Sequence, residues 1–343
     1  MQLDETAFIA SLKGYLMVSI KDVARLAKVS PATVSRVINK TSYVAEDKKA
    51  RVLKVIDETG FMPNNVARSL FKGSSKIIGM IVPDIINPFF SELAKNVERF
   101  TYQNGYQLVV CSSNDELSKE LASIKTLMQL NADGLILISS NQSLQKELVK
   151  STLPIVLVDR YIDTKEKKVA YIQANHYQGG KLATKHLYDC GCRHIINLRG
   201  PDEYSSARQR YRGYLDTCKE YGLKAFSIEA GYNYESGLKA SEKILELYPE
   251  VDGIVASDDI VAMAIMKVLD SKGIAIPEDV QLIGYDNVWI SKLATKGITT
   301  IAQPIVSLAE NAVQLLVNSE LYDGEKQLIL DVKLIQRETT KGE

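Results

Sequence analysis

Residues 19–40 read SIKDVARLAKVSPATVSRVINK. Ile20, Val23, Ala24 and Ala27 recur at helical spacing, so Ile20–Ala27 reads as one short amphipathic helix. Lys28-Val29 leaves room only for a turn. Ser30 suits an N-cap and Pro31 the first helical position. Ala32–Ile38 then forms a second helix, with Val34, Val37 and Ile38 facing inward. That leaves Pro31, Ala32, Thr33, Ser35 and Arg36 on its outer side, near its start. Two short helices joined by a tight turn, the second offering small and polar groups from its N-terminal end, make a helix-turn-helix. In a major groove Arg36 would contact guanine and Ala32 a thymine methyl. The plainer alternative is a helical hairpin in a core.

Working outward, Ala45–Thr59 reads as a third helix ended by Gly60. Val52, Val55 and Ile56 face back onto the first two helices. Three helices in about 40 residues enclose a small core, so this head is expected to be marginal alone. Residues 63–73, PNNVARSLFKG, form a linker. Asn64 can cap Val66–Phe71, a segment of only two turns that does not hold a helix by itself in water.

The chain has 343 residues, 45% hydrophobic and 24% charged, enough for two or three globular units. Formal net charge is zero but unevenly distributed. From Val18 to Lys76 there are twelve Lys/Arg against five Asp/Glu, a balance of +7, so the remainder carries −7. A basic head on an acidic body fits a polyanion-binding module joined to one that binds something else. The four cysteines, Cys111, Cys190, Cys192 and Cys218, have neither zinc nor redox spacing and read as buried thiols in a reducing, intracellular compartment. No apolar run approaches the ~18 residues of a membrane span. Residues 1–16 do not have the pattern of a secretory signal and read as an appendage.

Beyond Lys76 short apolar runs alternate with helical patterns. Strands are expected at Ile77–Val82, Leu108–Cys111, Leu135–Ile138, Ile155–Val158, Ile195–Leu198, Gly253–Ala256 and Leu282–Gly284. Helices are expected at Phe89–Asn104, Glu116–Leu130, Leu144–Lys150, Tyr204–Tyr221, Glu235–Leu247, Ile260–Lys272 and Ile305–Asn318. This alternation indicates open parallel α/β sheets, and its length suggests two. Ligands of such sheets sit at the carboxyl ends of strands. Polar and aromatic groups follow the strands there: Asn87-Pro88-Phe89-Phe90, Asp159-Arg160, Ser206-Ala207-Arg208-Gln209-Arg210, Asp258-Asp259 and Tyr285-Asp286. Carboxylates, amides and guanidinium forks suit a polyhydroxylated ligand, whose hydroxyls both donate and accept, and aromatic faces suit a sugar ring. Phe89 and Phe90 also read as plain core, and Arg208 as a surface bridge. There is no GxGxxG after the first strand, no phosphate loop, no GxSxG, and the three histidines lack metal spacing, so neither a cofactor nor an enzyme is indicated.

The run I-K-D-V-A-R-L-A-x-V-S-x-A-T-V-S-R-V-I-N resembles the DNA-binding head of the LacI-type repressor family, nearly residue for residue. The resemblance implies a helix-turn-helix head followed by a periplasmic-binding-protein-like core of two open parallel-sheet lobes. The organisation expected is an extension over 1–17, a head over 18–60 and a hinge over 61–76. An N-lobe follows over 77–174 plus about 303–333, and a C-lobe over 175–302 plus about 334–343, with chain crossings near Asn175, Gln303 and Leu334. It implies DNA contacts from Ser30, Pro31, Ala32, Thr33, Ser35, Arg36 and Asn39 in the head. From the hinge come Asn64, Ala67, Arg68 and Leu70, with Leu70 wedging between base pairs of the minor groove. It implies effector contacts from Asn87, Phe89, Phe90, Asp159, Arg160, Arg210, Tyr232, Asp258, Asp286 and Gln303. Asn-Pro-Phe-Phe, Asp159-Arg160 and the S-N-D-E-L-x-K-E-L run at Ser113–Leu121 are most similar to the ribose-operon branch. One departure stands out: Asp258 occupies a position where the family usually has Asn. The partners implied are a near-palindromic operator duplex, a second copy of the chain and a small sugar, a pentose. The alternative within the family is a catabolite-type regulator with a phosphorylated carrier protein as corepressor. With no apolar heptad tail after Arg337, a dimer rather than a tetramer is expected.

Overall fold

The computed structural model describes residues 18–39, 41–61, 74–163, 169–318 and 327–342. The expectations for residues 1–17 and for Asn64, Ala67, Arg68 and Leu70 lie outside these. The chain divides into two compact units, residues 1–75 and 76–343.

In the first unit, α1 (Ile20–Ala27) opens on a capping box: Asp22 N donates to Ser19 Oγ at 3.3 Å, and Ser19 N to Asp22 Oδ2 at 3.1 Å. Lys28, at φ 55°, turns the chain. Helix α2 (Pro31–Asn39) starts one residue earlier than expected, with Ser30 Oγ accepting from Thr33 N at 3.2 Å. Helix α3 (Glu46–Thr59) ends at Gly60, which takes the left-handed conformation required there (φ 62°). Val23, Ala24, Ala27, Val34, Val52 and Phe61 are buried together, with Val37, Ile38, Val55 and Ile56 packed around them. The inward face expected of each helix is the one observed.

The second unit contains two six-stranded sheets. The first, in order β2-β1-β3-β4-β5-β11, is wholly parallel. Its strands are β1 (Ile77–Val82), β2 (Gln107–Ser112), β3 (Gly134–Leu137), β4 (Ile155–Val158), β5 (Val169–Ala174) and β11 (Gln327–Leu330). Helices α4 (Pro88–Gln103), α5 (Leu117–Gln129) and α6 (Gln145–Lys150) follow its first three strands. The second sheet, in order β7-β6-β8-β9-β10-β12, is parallel except for β12. It comprises β6 (Ile195–Arg199), β7 (Phe226–Glu229), β8 (Gly253–Val255), β9 (Gln281–Asp286), β10 (Thr299–Ala302) and β12 (Lys333–Ile335). Helices α7 (His176–Asp189), α8 (Ser205–Glu220), α9 (Tyr234–Leu247) and α10 (Asp259–Ser271) flank it. The chain passes from the first sheet to the second at Asn175. It returns after Gln303 into α11 (Ile305–Val317), whose Leu308, Ala309, Ala312 and Val313 pack into the first sheet's core. It crosses once more between β11 and β12, ahead of Leu334.

Strands β3, β4, β5 and β9 are buried along their whole length, which is why β3 and β4 read as continuous apolar runs rather than alternating ones. The expected ends differ from the observed ones by a residue or two, the usual fraying of termini. Five strands and one helix have no counterpart in the sequence expectations: β5, β7, β10, β11, β12 and α7. Strand β5 carries Tyr171 and Gln173 among its apolar residues. The edge strands β7, β11 and β12 are short and half exposed. Helix α7 carries the pair Gly179-Gly180 at its fourth and fifth positions, which lowers helical propensity but is needed sterically. A Cβ at Gly180 would collide with the carbonyl oxygen of Arg210 in α8, and one at Gly179 with the hydroxyl of Tyr285. Among the described residues no helix is long and apolar enough to cross a membrane.

Candidate functional site

The carboxyl ends of both sheets of the second unit face a cleft. It is lined by Asn87, Phe89, Phe90, Asp159, Arg160, Arg210, Tyr232, Asp258, Asp286 and Gln303, so all ten residues singled out in the sequence meet in one place. Ser206 joins them. Arg208 does not: it is exposed and donates to the carbonyl oxygen of Asp202. Asp259 is also outside the cleft. It is fully buried, accepts from Thr300 Oγ1 (2.7 Å) and Val288 N (2.9 Å), and ties α10 to the strand ends.

From the first sheet, Asn87 caps α4 by accepting from Phe89 N at 2.9 Å, and its amide donates to the Tyr232 carbonyl at 3.3 Å. The Phe89 and Phe90 rings meet edge to face at 5.2 Å in the first turn of α4. They belong to the hydrophobic core and to the cleft wall at once. Asp159 and Arg160 follow β4. Arg160 donates to Asp115 Oδ1 at 2.7 Å and lies 3.7 Å over the ring of Tyr204, whose hydroxyl donates to Asp115 Oδ2 at 2.8 Å. From the second sheet, Arg210 on α8 donates to the Ser257 carbonyl at 2.8 Å, stacks 3.6 Å from the Tyr285 ring and stands 3.7 Å from Asp286. Asp258 is the N-cap of α10, accepting from Val261 N at 2.7 Å. Gln303, at a crossing, donates to Asp286 Oδ1 at 2.7 Å.

Four buried polar atoms of this lining complete no hydrogen bond: Asp159 Oδ1, Tyr232 Oη, Asp258 Oδ2 and Gln303 Oε1. Leaving such an atom buried without a partner costs about 1–3 kcal/mol, so a ligand that satisfies them gains that energy on binding. Burial alone would raise the Asp159 carboxyl, but His176, Arg210 and Arg160 outweigh it and hold it down to about 2. Asp258 goes the other way: burial, reinforced by the neighbouring Asp286 charge, pushes it up to about 7. Burial likewise pushes Asp286 up to about 6, against the pull of Arg210. The cleft thus holds one firmly ionised carboxylate and two that titrate near neutrality.

His176 was not singled out in the sequence. It is buried at the first residue of α7, beside Asp159 and Arg210. The one available signal was its place immediately after the crossing at Asn175.

In the first unit, Ser30, Pro31, Ala32 and Arg36 are exposed, while Thr33, Ser35 and Asn39 are half-buried. Asn39 donates to the Ser35 carbonyl at 2.9 Å and Ser35 Oγ at 3.2 Å, and Ser30 and Thr33 hydroxyls share a 3.0 Å bond. Arg36 forms no ion pair with any described residue, whereas Arg25 pairs with Asp22 at 3.4 Å. Arg36 lies exposed in the last turn of α2. Among the described residues no group of three or more His, Cys, Asp or Glu side chains is placed to hold a metal ion.

Residues 75–328 match the family of periplasmic binding proteins and sugar-binding domains of the LacI family, and residues 19–64 match the bacterial regulatory proteins of the lacI family. A ribose operon repressor from Halalkalibacterium halodurans is 37% identical over 95% of this chain and 98% of its own length. An HTH-type transcriptional repressor PurR from Photobacterium profundum is 34% identical over 95% of this chain and 99% of its own. A crystal structure of a periplasmic binding protein/LacI transcriptional regulator from Alkaliphilus metalliredigens, complexed with D-xylulofuranose, superposes with a TM-score of 0.70 at 34% identity, covering 78% of this chain and all of that one. With a helix-turn-helix head, a two-sheet core and whole-length relatives all pointing the same way, the chain belongs to the LacI family of bacterial regulatory proteins.

Proposed function

We propose that this protein is a homodimeric, operator-binding repressor whose DNA affinity is set by a small unphosphorylated sugar, of the pentose class, bound in the cleft. The observation that carries this reading is the set of four buried polar atoms of the lining that complete no hydrogen bond. Gln303 Oε1 only accepts, and Asp159 Oδ1 and ionised Asp258 Oδ2 only accept, while Tyr232 Oη does both. A ligand meeting them presents several hydroxyl donors on one small frame. The charge balance argues against a phosphate on that ligand. Asp159, Asp258 and Asp286 face the cleft, Arg160 is committed to Asp115, and Arg210 is shared among the carboxylates. The named activity of the ribose operon repressor relative and the xylulofuranose in the Alkaliphilus structure favour a pentose over other polyols.

In this reading Ser30, Pro31, Ala32, Thr33, Ser35, Arg36 and Asn39 address the major groove and the hinge, with Leu70, the minor groove. Sugar and DNA prefer different arrangements of the core, and each weakens or strengthens the other by the same factor. The test is a calorimetric panel of D-ribose, D-xylulose, D-xylose, D-glucose and ribose 5-phosphate on the full chain. Fluorescence anisotropy of a near-palindromic duplex then follows, with and without the best binder. At least one unphosphorylated pentose is expected to bind and to shift duplex affinity, and ribose 5-phosphate to do neither. Release of the duplex marks the sugar as an inducer and tightening marks it as a corepressor. A panel in which no pentose binds overturns the proposal.

A further inference from the structure

We propose that His176 is a positioning residue that ties together the two charged anchors of the cleft, Asp159 from the first sheet and Arg210 from the second. The inference rests on the effector reading above, since it concerns how that site is held in shape. His176 has no solvent exposure. Its Nδ1 accepts from Arg210 Nε at 3.3 Å, with the Tyr285 hydroxyl 3.5 Å away, and its Nε2 stands 3.0 Å from Asp159 Oδ1. A guanidinium only donates, so Nδ1 is the acceptor and the ring proton sits on Nε2, towards Asp159. Burial lowers the His176 value below its ordinary one despite the neighbouring carboxylate, in keeping with a neutral ring of fixed tautomer. The N–H points off the line to Oδ1, so the two atoms touch without completing a hydrogen bond, and Oδ1 stays available to a ligand hydroxyl.

Two groups from the helices of the second sheet stand against Asp159: the His176 ring, 3.0 Å from Oδ1, and Ser206 Oγ, 3.5 Å from Oδ2. Arg210 in turn is oriented by His176 at Nε and by Ser257 at the other end of the guanidinium. A ligand that bonds Asp159 therefore engages a carboxylate already shared with the other half of the core. The ring is delivered to this point by Gly179 and Gly180, which let the start of α7 press against Tyr285 and the Arg210 backbone. A histidine serving only to fill the core would be indifferent to the ligand and to the identity of its nitrogens.

The test uses the full-length chain. With three histidines in the sequence, the long-range ¹⁵N–¹H ring signals of His176 are assigned by their loss in His176→Gln. The expected spectrum is an Nε2–H ring that stays neutral to lower pH than an ordinary histidine, and whose Nε2 signal moves in Asp159→Asn. An Nδ1–H ring, ordinary titration, or no response to Asp159→Asn overturns the assignment whether or not any sugar binds. Binding of D-ribose and D-xylulose then separates positioning from packing. Loss of the acceptor that orients the charged Arg210 guanidinium predicts about tenfold or greater weakening in His176→Leu. In His176→Gln, whose side-chain carbonyl can accept from Arg210 in place of Nδ1, affinity is expected to recover to within a few-fold of the parent. Equal affinity in folded His176→Leu refutes the proposal. Failure of the parent to bind any pentose refutes the effector reading instead, and leaves the ring spectrum to decide the contact.

Discussion

If the cleft binds a sugar as proposed, Asp258 is expected to make that binding depend on pH. One carboxylate oxygen caps α10, the other is buried without a partner, and burial with the nearby Asp286 charge places the group at about 7. A sugar hydroxyl donating to Oδ2 stabilises the ionised form, so binding pulls the carboxyl down and releases a proton. If the bound form titrates well below 6, the free-state value of 7 makes affinity about tenfold weaker at pH 6 than at pH 8, and about half a proton leaves per sugar bound at pH 7. Calorimetry at pH 6, 7 and 8, in buffers of different ionisation enthalpy, measures both quantities. Asp258→Asn keeps the cap through its carbonyl oxygen and presents a donor in place of Oδ2. The pH dependence is expected to flatten in that variant, and sugars offering an acceptor at this point to gain on those offering a donor. Affinity that is independent of pH in the parent, or protons taken up on binding, would show that Asp258 does not accept from the sugar.

Three further outcomes follow from the geometry. Arg36→Ala is expected to cost about 1–3 kcal/mol of discrimination at a single operator base pair while leaving non-specific binding almost unchanged, read from anisotropy on a set of substituted duplexes. Arg160→Ala removes charge-assisted donors from the cleft and leaves Asp115 and Tyr204 without their partner; sugar affinity is expected to fall about 10-fold to 100-fold in calorimetry, and full affinity would remove Arg160 from the site. Gly180→Ala forces a methyl against the Arg210 carbonyl, so thermal unfolding is expected to show a loss of about 1–3 kcal/mol together with weaker sugar binding.

Most of the cleft was legible in the sequence because its residues sit where strands end, and strand ends could be read from short apolar runs. Asp159 follows such a run directly, Asp258 and Asp286 one residue later, and Asn87 after a short loop. His176 was not legible, since it follows β5, whose Tyr171 and Gln173 hide the strand, and opens α7, whose Gly179-Gly180 pair disguises the helix. That glycine pair is dictated by the approach of α8 and Tyr285, a tertiary cause with no local trace. Asp115 escaped for a similar reason. It lies within the Ser113–Leu121 run noted for its resemblance, but only the folded chain brings it to Arg160, 45 positions away. Phe89 and Phe90 read as either core or ligand wall, and the fold makes them both.

The backbone adds a further constraint on the cleft. Asp115, Asp159 and Asp286 adopt φ of 57°, 67° and 101°, left-handed values that cost an L-residue roughly 1–2 kcal/mol and that Gly or Asn adopts more readily. Every described aspartate with a positive φ therefore either lines the cleft or holds its arginine, and turn-making alone would not choose the acid. Asp286 is the most instructive of the three. Its folded-state value near 6, against an ordinary 3.8, means that its contribution to stability is fully present below pH 3.8 and is lost as pH rises through 6. Above that pH the difference costs up to about 3 kcal/mol. Asp286→Asn keeps the shape, tolerates the backbone and removes the repulsion with Asp258, while giving up the 3.7 Å pairing with Arg210. The variant is expected to be about 1–3 kcal/mol more stable than the parent at pH 8, indistinguishable from it near pH 4, and impaired in sugar binding. Thermal unfolding across that range, paired with calorimetry at pH 8, measures the trade. If Asp286→Asn were less stable at pH 8, the Arg210 pairing would outweigh the repulsion and the acid would be there for the fold; if it were more stable but bound sugar as well as the parent, the strained carboxylate would have no functional reason to persist.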